Sequence, residues 1–262
     1  PISEIILKDK HYINENKSFD LVISCGRKSV IPSAIIKKKN TNIFTIHIQD
    51  PKVNYKNFDV IIAPEHDDLK GENVISSKGS IHYITQSEIE KAKNYLVNKF
   101  QNENIVSLIL GGPTKYYSFS NEELTQVFRK IKSNFISQGY KVLVIPSMRT
   151  PKRIIDLAMK EFVKDGFVVN TVDKQAYLSA LALATNIVVT CDSTSMISEA
   201  SASGKPIFVA HMKTKRNNYR FKNFFRLFKE MGITRDLGEK VENWTYNKFN
   251  EAERIAVIIN SK

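Results

Sequence analysis

Cysteine is scarce in this sequence. Only Cys25 and Cys191 occur in 262 residues, both inside hydrophobic, strand-like runs. Two such thiols build no disulfide framework and predict buried, reduced side chains in a reducing compartment. No set of Cys and His has zinc-ligand spacing. No apolar run approaches the roughly 18 residues that span a bilayer, and no secretory h-region opens the chain. Walker spacing, the three-glycine dinucleotide fingerprint and any Asp-x-Asp metal motif are all missing, which removes support from NTPase, dehydrogenase and metal-dependent readings. There is no repeat and no low-complexity tract. Acidic residues are also outnumbered, with 27 Asp plus Glu against 39 Lys plus Arg, a formal charge of +12.

What is present is the composition of a globular protein, 42% hydrophobic and 25% charged, which excludes disorder, collagen and coiled coil. The length suits one large or two small domains. Short apolar, β-branched runs alternate with amphipathic stretches. Strands are expected over 20–24, 42–48, 58–63, 105–110, 141–145, 167–171, 186–190 and 206–210. Helices are expected over 29–39, 87–100, 121–138, 151–163, 175–184, 195–203, 217–231 and 250–260. Several strands are apolar on both faces, as strands between helix layers must be. The alternation predicts an α/β fold with mostly parallel sheets.

Ser120 followed by Glu123 reads as a capping box, and Thr150 before Pro151 as an N-cap followed by proline at N1. Gly139 and Gly204 stand where left-handed C-caps are expected. The polar stretch Asn102–Asn104 is the expected seam between an N-terminal domain, 1–102, and a C-terminal domain, 103–262, whose last helix is free to pack back on the first. Two Rossmann-like domains facing a cleft follow. The first looks short for a doubly wound domain, and the opening on Pro1 rather than Met adds to the expectation of elements upstream.

In open α/β sheets, ligands bind beyond the carboxyl ends of strands, at helix N-termini with free amides. Four strand ends carry suitable residues: Cys25–Ser29, Gly111–Lys115, Ser147–Pro151 and Thr190–Glu199. Gly111 and Gly112 allow backbone to approach an anion, with Thr114 and Lys115 as donors; a tight turn that needs glycine for geometry alone explains them equally well. Ser193 and Ser195 are placed to cap a helix and to donate hydroxyls to a phosphate beside Asp192 and Met196. Glu199 lies four residues beyond Ser195, on the same face and one turn deeper, where a carboxylate reaches ribose hydroxyls. An N-cap serine followed by an ordinary helix glutamate is the plainer alternative.

The run Thr190-Cys191-Asp192-Ser193-Thr194-Ser195-Met196-Ile197-Ser198-Glu199-Ala200, followed by Gly204-Lys205-Pro206, closely resembles the signature of the mitochondrial-fission "elongated mitochondria" family. That family is widespread in bacteria and is similar to glycosyltransferases of the B type. Ser24–Ser29, His47–Pro51, Ala63–Asp67, Gly111–Pro113 and Arg149–Pro151 match it in order, so the resemblance runs from about Asp20 to Arg235. It implies a glycosyltransferase-B-like architecture with a nucleotide diphosphate held mainly by the C-terminal domain. Ser193 and Ser195 would face the diphosphate, Glu199 the ribose, and Arg149, with Ser147 nearby, a phosphate. Two departures stand out: Lys174-Gln175-Ala176-Tyr177 replaces the family's Gly/Asn-Pro-Tyr stretch, and its N-terminal glycine-rich segment has no counterpart.

Sugar transfer needs a base near the acceptor hydroxyl and stabilisation of the leaving diphosphate. His47, Asp50, Glu65 and His66 follow or end strands, and the titration range of histidine favours His66 and His47. No tightly bound cofactor is expected; a nucleoside-diphosphate sugar would be the donor substrate. Lys213–Lys229 interleaves Arg216, Arg220, Lys222, Arg226 and Lys229 with Tyr219, Phe221, Phe224, Phe225 and Phe228. Four phenylalanines at helical spacing form a stripe that packs into the core or rests on an anionic membrane surface, with core packing expected first and nucleic acid last. Two functional readings stand. One is a nucleotide-sugar-dependent glycosyltransferase acting on an envelope or lipid acceptor. The other is a non-catalytic adaptor that recruits a protein such as a dynamin-related protein. Either sits in the cytoplasm, peripheral to a membrane, and at the mitochondrial outer surface if the source is eukaryotic.

Overall fold

The structure, a computed structural model, describes residues 19–100, 102–238 and 241–261. Whatever precedes β1 in the expected fold lies outside that range. The chain divides into two units, one reaching to Lys78 and the other running Gly79–Asn260. The seam therefore falls well ahead of Asn102–Asn104. Residues 79–100 belong to the second unit because Ile84, Ile89, Ala92, Leu96 and Phe100 are buried in its core. Ser179 Oγ accepts from the Leu96 amide (3.1 Å) and lies 3.2 Å from the Lys93 carbonyl, to which it donates. Asn102–Asn104 is polar as a surface loop is, and a surface loop need not be a boundary.

In the first unit, β1 (Leu21–Cys25), α1 (Arg27–Lys39), β2 (Phe44–Ile48), β3 (Val60–Pro64) and β4 (Val74–Ser77) form a parallel sheet of order β1-β2-β3-β4. Val60, Ile61, Ile62 and Ala63 of β3 are buried in succession, as an inner parallel strand requires. β4 went unexpected because Ser76, Ser77 and Lys78 mask a short strand.

The second unit contains α2 (Gln86–Ala92), β5 (Ile105–Leu110), α3 (Asn121–Asn134), β6 (Lys141–Pro146), α4 (Lys152–Phe162), β7 (Gly166–Val168), α5 (Lys174–Leu183), β8 (Asn186–Thr190), α6 (Thr194–Ser201), β9 (Ile207–Ala210), α7 (Tyr219–Glu230), β10 (Thr234–Asp236) and α8 (Glu251–Asn260). Its six strands are all parallel, in the order β10-β9-β8-β5-β6-β7. Every residue of β5 and β8 is buried. Chain order reverses between β5 and β8, which makes the carboxyl ends of these two strands the topological switch point.

Most elements match the sequence reading to within a few residues. The helix expected over 87–100 stops at Ala92 and continues as two short 3-10 turns, and the one expected over 121–138 ends at Asn134. Ser120 and Glu123 form the expected capping box, and Gly139 takes the left-handed conformation at φ 84°. Thr150 is not an N-cap. Pro151 holds that position, while Thr150 Oγ1 accepts from the Ser147 amide and sits 2.8 and 2.9 Å from the carbonyls of Leu110 and Gly111.

The phenylalanine stripe of α7 enters the core. Phe224 and Phe228 are fully buried with ring centroids 4.2 Å apart, and Phe221 and Phe225 pack against the same cluster. No apolar stripe is left on this helix to lie on a bilayer, although its basic residues remain at the surface. Phe224→Ala should destabilise the second unit by about 3–5 kcal/mol through lost burial and the cavity left behind. Lys222→Ala, on the exposed face, should stay within about 0.5 kcal/mol. Urea unfolding of both variants at neutral pH checks the contrast.

Candidate functional site

At the switch point the chain buries a charge. Asp192 lies just beyond β8 with no side-chain exposure, and Arg149 Nη2 from the loop after β6 meets its Oδ2 at 2.7 Å. The Gly112 amide donates to the same oxygen (3.3 Å), and Thr190 Oγ1 donates to Oδ1 (2.7 Å). Thr190 Oγ1 in turn accepts from the Gly111 amide at 2.8 Å. A carboxylate out of water needs such partners, since removing one leaves a buried charge uncompensated.

This arrangement corrects the expectation for Gly111 and Gly112. Their amides point to Thr190 and Asp192 rather than to an incoming anion. The glycines are required for closeness: a Cβ on Gly111 would stand 1.9 Å from Asp192 Oδ1, and one on Gly112 would stand 2.0 Å from the Arg149 carbonyl oxygen. Asp192 is likewise an internal brace, and what it leaves toward solvent is the part of the Arg149 guanidinium it does not engage. Arg149 keeps 45% of its side-chain surface exposed.

The neighbouring polar residues shape turns. Thr114 Oγ1 accepts from the amides of Tyr116 and Tyr117, both at 3.1 Å, and Lys115 Nζ stands 4.8 Å over the Tyr116 ring. Ser147 Oγ accepts from the Arg149 amide (3.3 Å). Ser193 is the N-cap of α6, its Oγ accepting from the Met196 amide at 3.3 Å, while Met196 itself is buried.

Ser195 is the exposed hydroxyl of the α6 first turn, 3.3 Å from Ser80 Oγ. One turn deeper, Glu199 receives a 3.0 Å hydrogen bond from the Tyr177 hydroxyl of α5. Burial raises the pKa of the Glu199 carboxyl, with the Tyr177 bond pulling it back down. Burial, followed by the adjacent Glu199 charge, pushes the Tyr177 phenol well above its ordinary value, so Tyr177 stays a donor at neutral pH.

The segment after Gly79 completes this surface. The Ser80 amide donates to Ser198 Oγ (3.0 Å), and His82 Nε2 lies 3.1 Å from the Ser198 carbonyl oxygen. These contacts join residues 118 and 116 positions apart, so no local pattern announces them. Tyr177 carried a usable signal: it stands in the stretch that departs from the family pattern.

Neither proposed histidine base is presented for chemistry. His47 lies within β2 rather than at its end and is fully buried, its Nδ1 2.8 Å from Ser24 Oγ and its ring 5.1 Å from that of Phe58. His66 is buried in a 3-10 turn, with Nε2 3.6 Å from Asp67 Oδ1. Asp50 accepts from the Lys52 amide at 2.9 Å and pairs with its ammonium. Among the described residues, no group of three or more His, Cys, Asp or Glu could hold a metal ion, and no helix is long and apolar enough to cross a membrane.

The sequence profile of the family described as mitochondrial fission ELM1 matches residues 4–262. The chain belongs to this family. An uncharacterized protein of Rickettsia prowazekii is 28% identical over 92% of this chain and 78% of its own length. The Arabidopsis thaliana protein named mitochondrial fission protein ELM1 is 25% identical over 91% of this chain, which spans 62% of that relative. In fold, the chain is similar to the UDP-GlcNAc 2-epimerase of Methanocaldococcus jannaschii, with TM-score 0.51 and 13% identity over 100% of this chain and 80% of that one. The architecture is an α/β fold with two parallel sheets.

Two outcomes follow from these contacts. Gly111→Ala should cost at least about 2 kcal/mol by displacing the buried carboxylate, whereas Gly139→Ala, with open space around it, should cost only the strain of its positive φ; chemical denaturation compares the two. The second concerns acid. Burial lowers the pKa of His47 and of His82. Each folded pKa lies below the unfolded value of about 6.5, so the stabilisation is complete above that pH and is lost as pH falls through it. Urea midpoints measured from pH 8 to pH 5 should decline below about 6.5, less steeply in His82→Gln.

Proposed function

We propose that the second unit binds a nucleoside-diphosphate sugar and that the protein transfers the sugar to an envelope or lipid acceptor without a metal ion. The observation that carries this reading is Glu199, a half-buried carboxylate oriented by Tyr177 one turn inside the helix that begins at the switch point. Its unshared oxygen lone pairs would accept from ribose hydroxyls. The diphosphate would then lie at the α6 N-terminus, where first-turn amides lack intrahelical partners and the helix dipole favours negative charge. Ser195 supplies a hydroxyl there. Arg149, braced by Asp192, offers its remaining guanidinium N–H groups to the diphosphate and to the charge that develops on it as the sugar leaves. The donor is a substrate in this scheme, and no tightly bound cofactor takes part. The exposed cations of Lys213–Lys229 would serve a cytoplasmic protein that works against an anionic membrane surface, through charge alone.

A second reading is favoured by the burial of both candidate histidine bases and by the name of the Arabidopsis relative. On that reading the scaffold is a non-catalytic adaptor that recruits a protein partner, such as a dynamin-related protein, in organelle fission. Partner capture would then be indifferent to Glu199.

Thermal unfolding against nucleoside diphosphates and their sugar conjugates tests the first reading. At 100-fold over Kd a ligand adds about 2.7 kcal/mol, which corresponds to roughly 5–10 °C here. The expected result is a shift for one nucleotide that disappears in Glu199→Ala. It should also shrink as acid protonates Glu199, because a protonated carboxyl accepts less well from hydroxyls. No shift with any nucleotide would reject the transferase reading.

A further inference from the structure

The segment that crosses from Gly79 to α2 holds one large side chain away from the protein. Tyr83 is 63% exposed, yet the residues on either side of it are fixed: His82 by the Ser198 carbonyl, and Ile84 by burial in the core at 4% exposure. Gly79 anchors the start of the segment so closely that a Cβ there would meet Phe249, Ser198 and Phe228 at 2.8–2.9 Å. The fixed backbone on either side therefore holds the ring in water in one place.

Its surroundings suggest a use. Lys174 Nζ stands 4.4 Å from the Tyr83 ring centroid and 3.8 Å from Glu88 Oε1, which fixes one side of the ring. Lys174 precedes Tyr177 by three residues on α5, hence on the same face of that helix, and His82, next to Tyr83, lies 3.1 Å from the carbonyl oxygen of Ser198, the residue before Glu199. Tyr177 in turn bonds Glu199. A path from the α6 first turn through Glu199 and Tyr177 therefore ends at an exposed, preorganised aromatic surface carrying a cation.

We propose that Tyr83 is the platform on which the nucleobase of the bound nucleotide stacks, with Lys174 holding the ring in place. This rests on the nucleotide-binding reading and adds the residue that takes the base. Stacking on a π-face tolerates any base, so Tyr83 supplies affinity, while the choice among bases falls to hydrogen bonds made elsewhere. The side chain is a binding residue and takes no part in the chemistry.

The test measures the affinity of the full chain for UDP, ADP and GDP, and for two probes without a base, ribose 5-phosphate and inorganic pyrophosphate. Tyr83→Ala should weaken the best nucleoside diphosphate roughly tenfold or more and leave both base-free probes unchanged. Tyr83→Phe, which keeps the ring, should retain affinity to within about twofold. Because the side chain is exposed, Tyr83→Ala should leave the ligand-free Tm unchanged. Equal nucleotide affinity in Tyr83→Ala and the unaltered chain would overturn the proposal while the nucleotide site survives. A parallel loss for ribose 5-phosphate and pyrophosphate would overturn it too, by showing that the ring acts on the fold of the site. No nucleotide binding by the unaltered chain would remove both readings together.

Discussion

The organisation of the second unit depends on holding the buried Asp192 side chain fully paired out of water. The carboxylate stands where β5 and β8 diverge, and its two oxygens gather groups from three strand ends adjacent in the sheet: Gly112 after β5, Arg149 after β6, and Thr190 at the end of β8. A buried charge with excellent hydrogen bonds need not add net stability over an apolar core, but one partner lost is expensive. The three loops are thus obliged to hold one geometry. That geometry settles where Arg149 projects and where α6 begins, so the carboxyl edge of the sheet at the switch point is preorganised by an interaction that itself faces inward.

The architecture was largely legible in the sequence, for a reason visible in β5 and β8. Strands covered on both faces must be apolar throughout, and Ile105–Leu110 and Asn186–Thr190 are apolar enough to betray both their boundaries and the parallel class. Strands that lack that burden were missed: β4 ends in two serines, and β10 is three residues with a charge at each of its last two. The division falls at Gly79 rather than at the polar stretch Asn102–Asn104 because composition reports exposure, while a boundary is a matter of which side chains share a core. Ile84, Ile89 and Leu96 look the same in sequence whichever unit they join.

The site was legible in its pieces and not in its wiring. Gly-Gly after a strand and Asp-Ser-Thr-Ser before a helix both signal something at a strand end, yet nothing local says that the glycines exist to admit an aspartate from 80 residues away. Ser193 caps α6 and Ser147 closes a turn, because a hydroxyl close to its own backbone satisfies nearby amides first. Helical periodicity alone places Glu199 one turn beyond Ser195 on α6. Tyr177, which donates a hydrogen bond to that carboxylate, belongs to another helix and carries no periodic signature relative to it.

The clearance at Gly111 bears on how such a chain can drift. A Cβ there and the Asp192 carboxylate claim one volume, so position 111 cannot enlarge while 192 stays acidic, and position 192 cannot shorten without stranding the Arg149 guanidinium and the Gly112 amide. Each single step leads downhill, and only a joint exchange of 111, 192 and 149 could reach another packed solution. The three positions behave as one heritable character spread over three places in the gene, and epistasis between them is written into the distance between two oxygens and a missing methyl group.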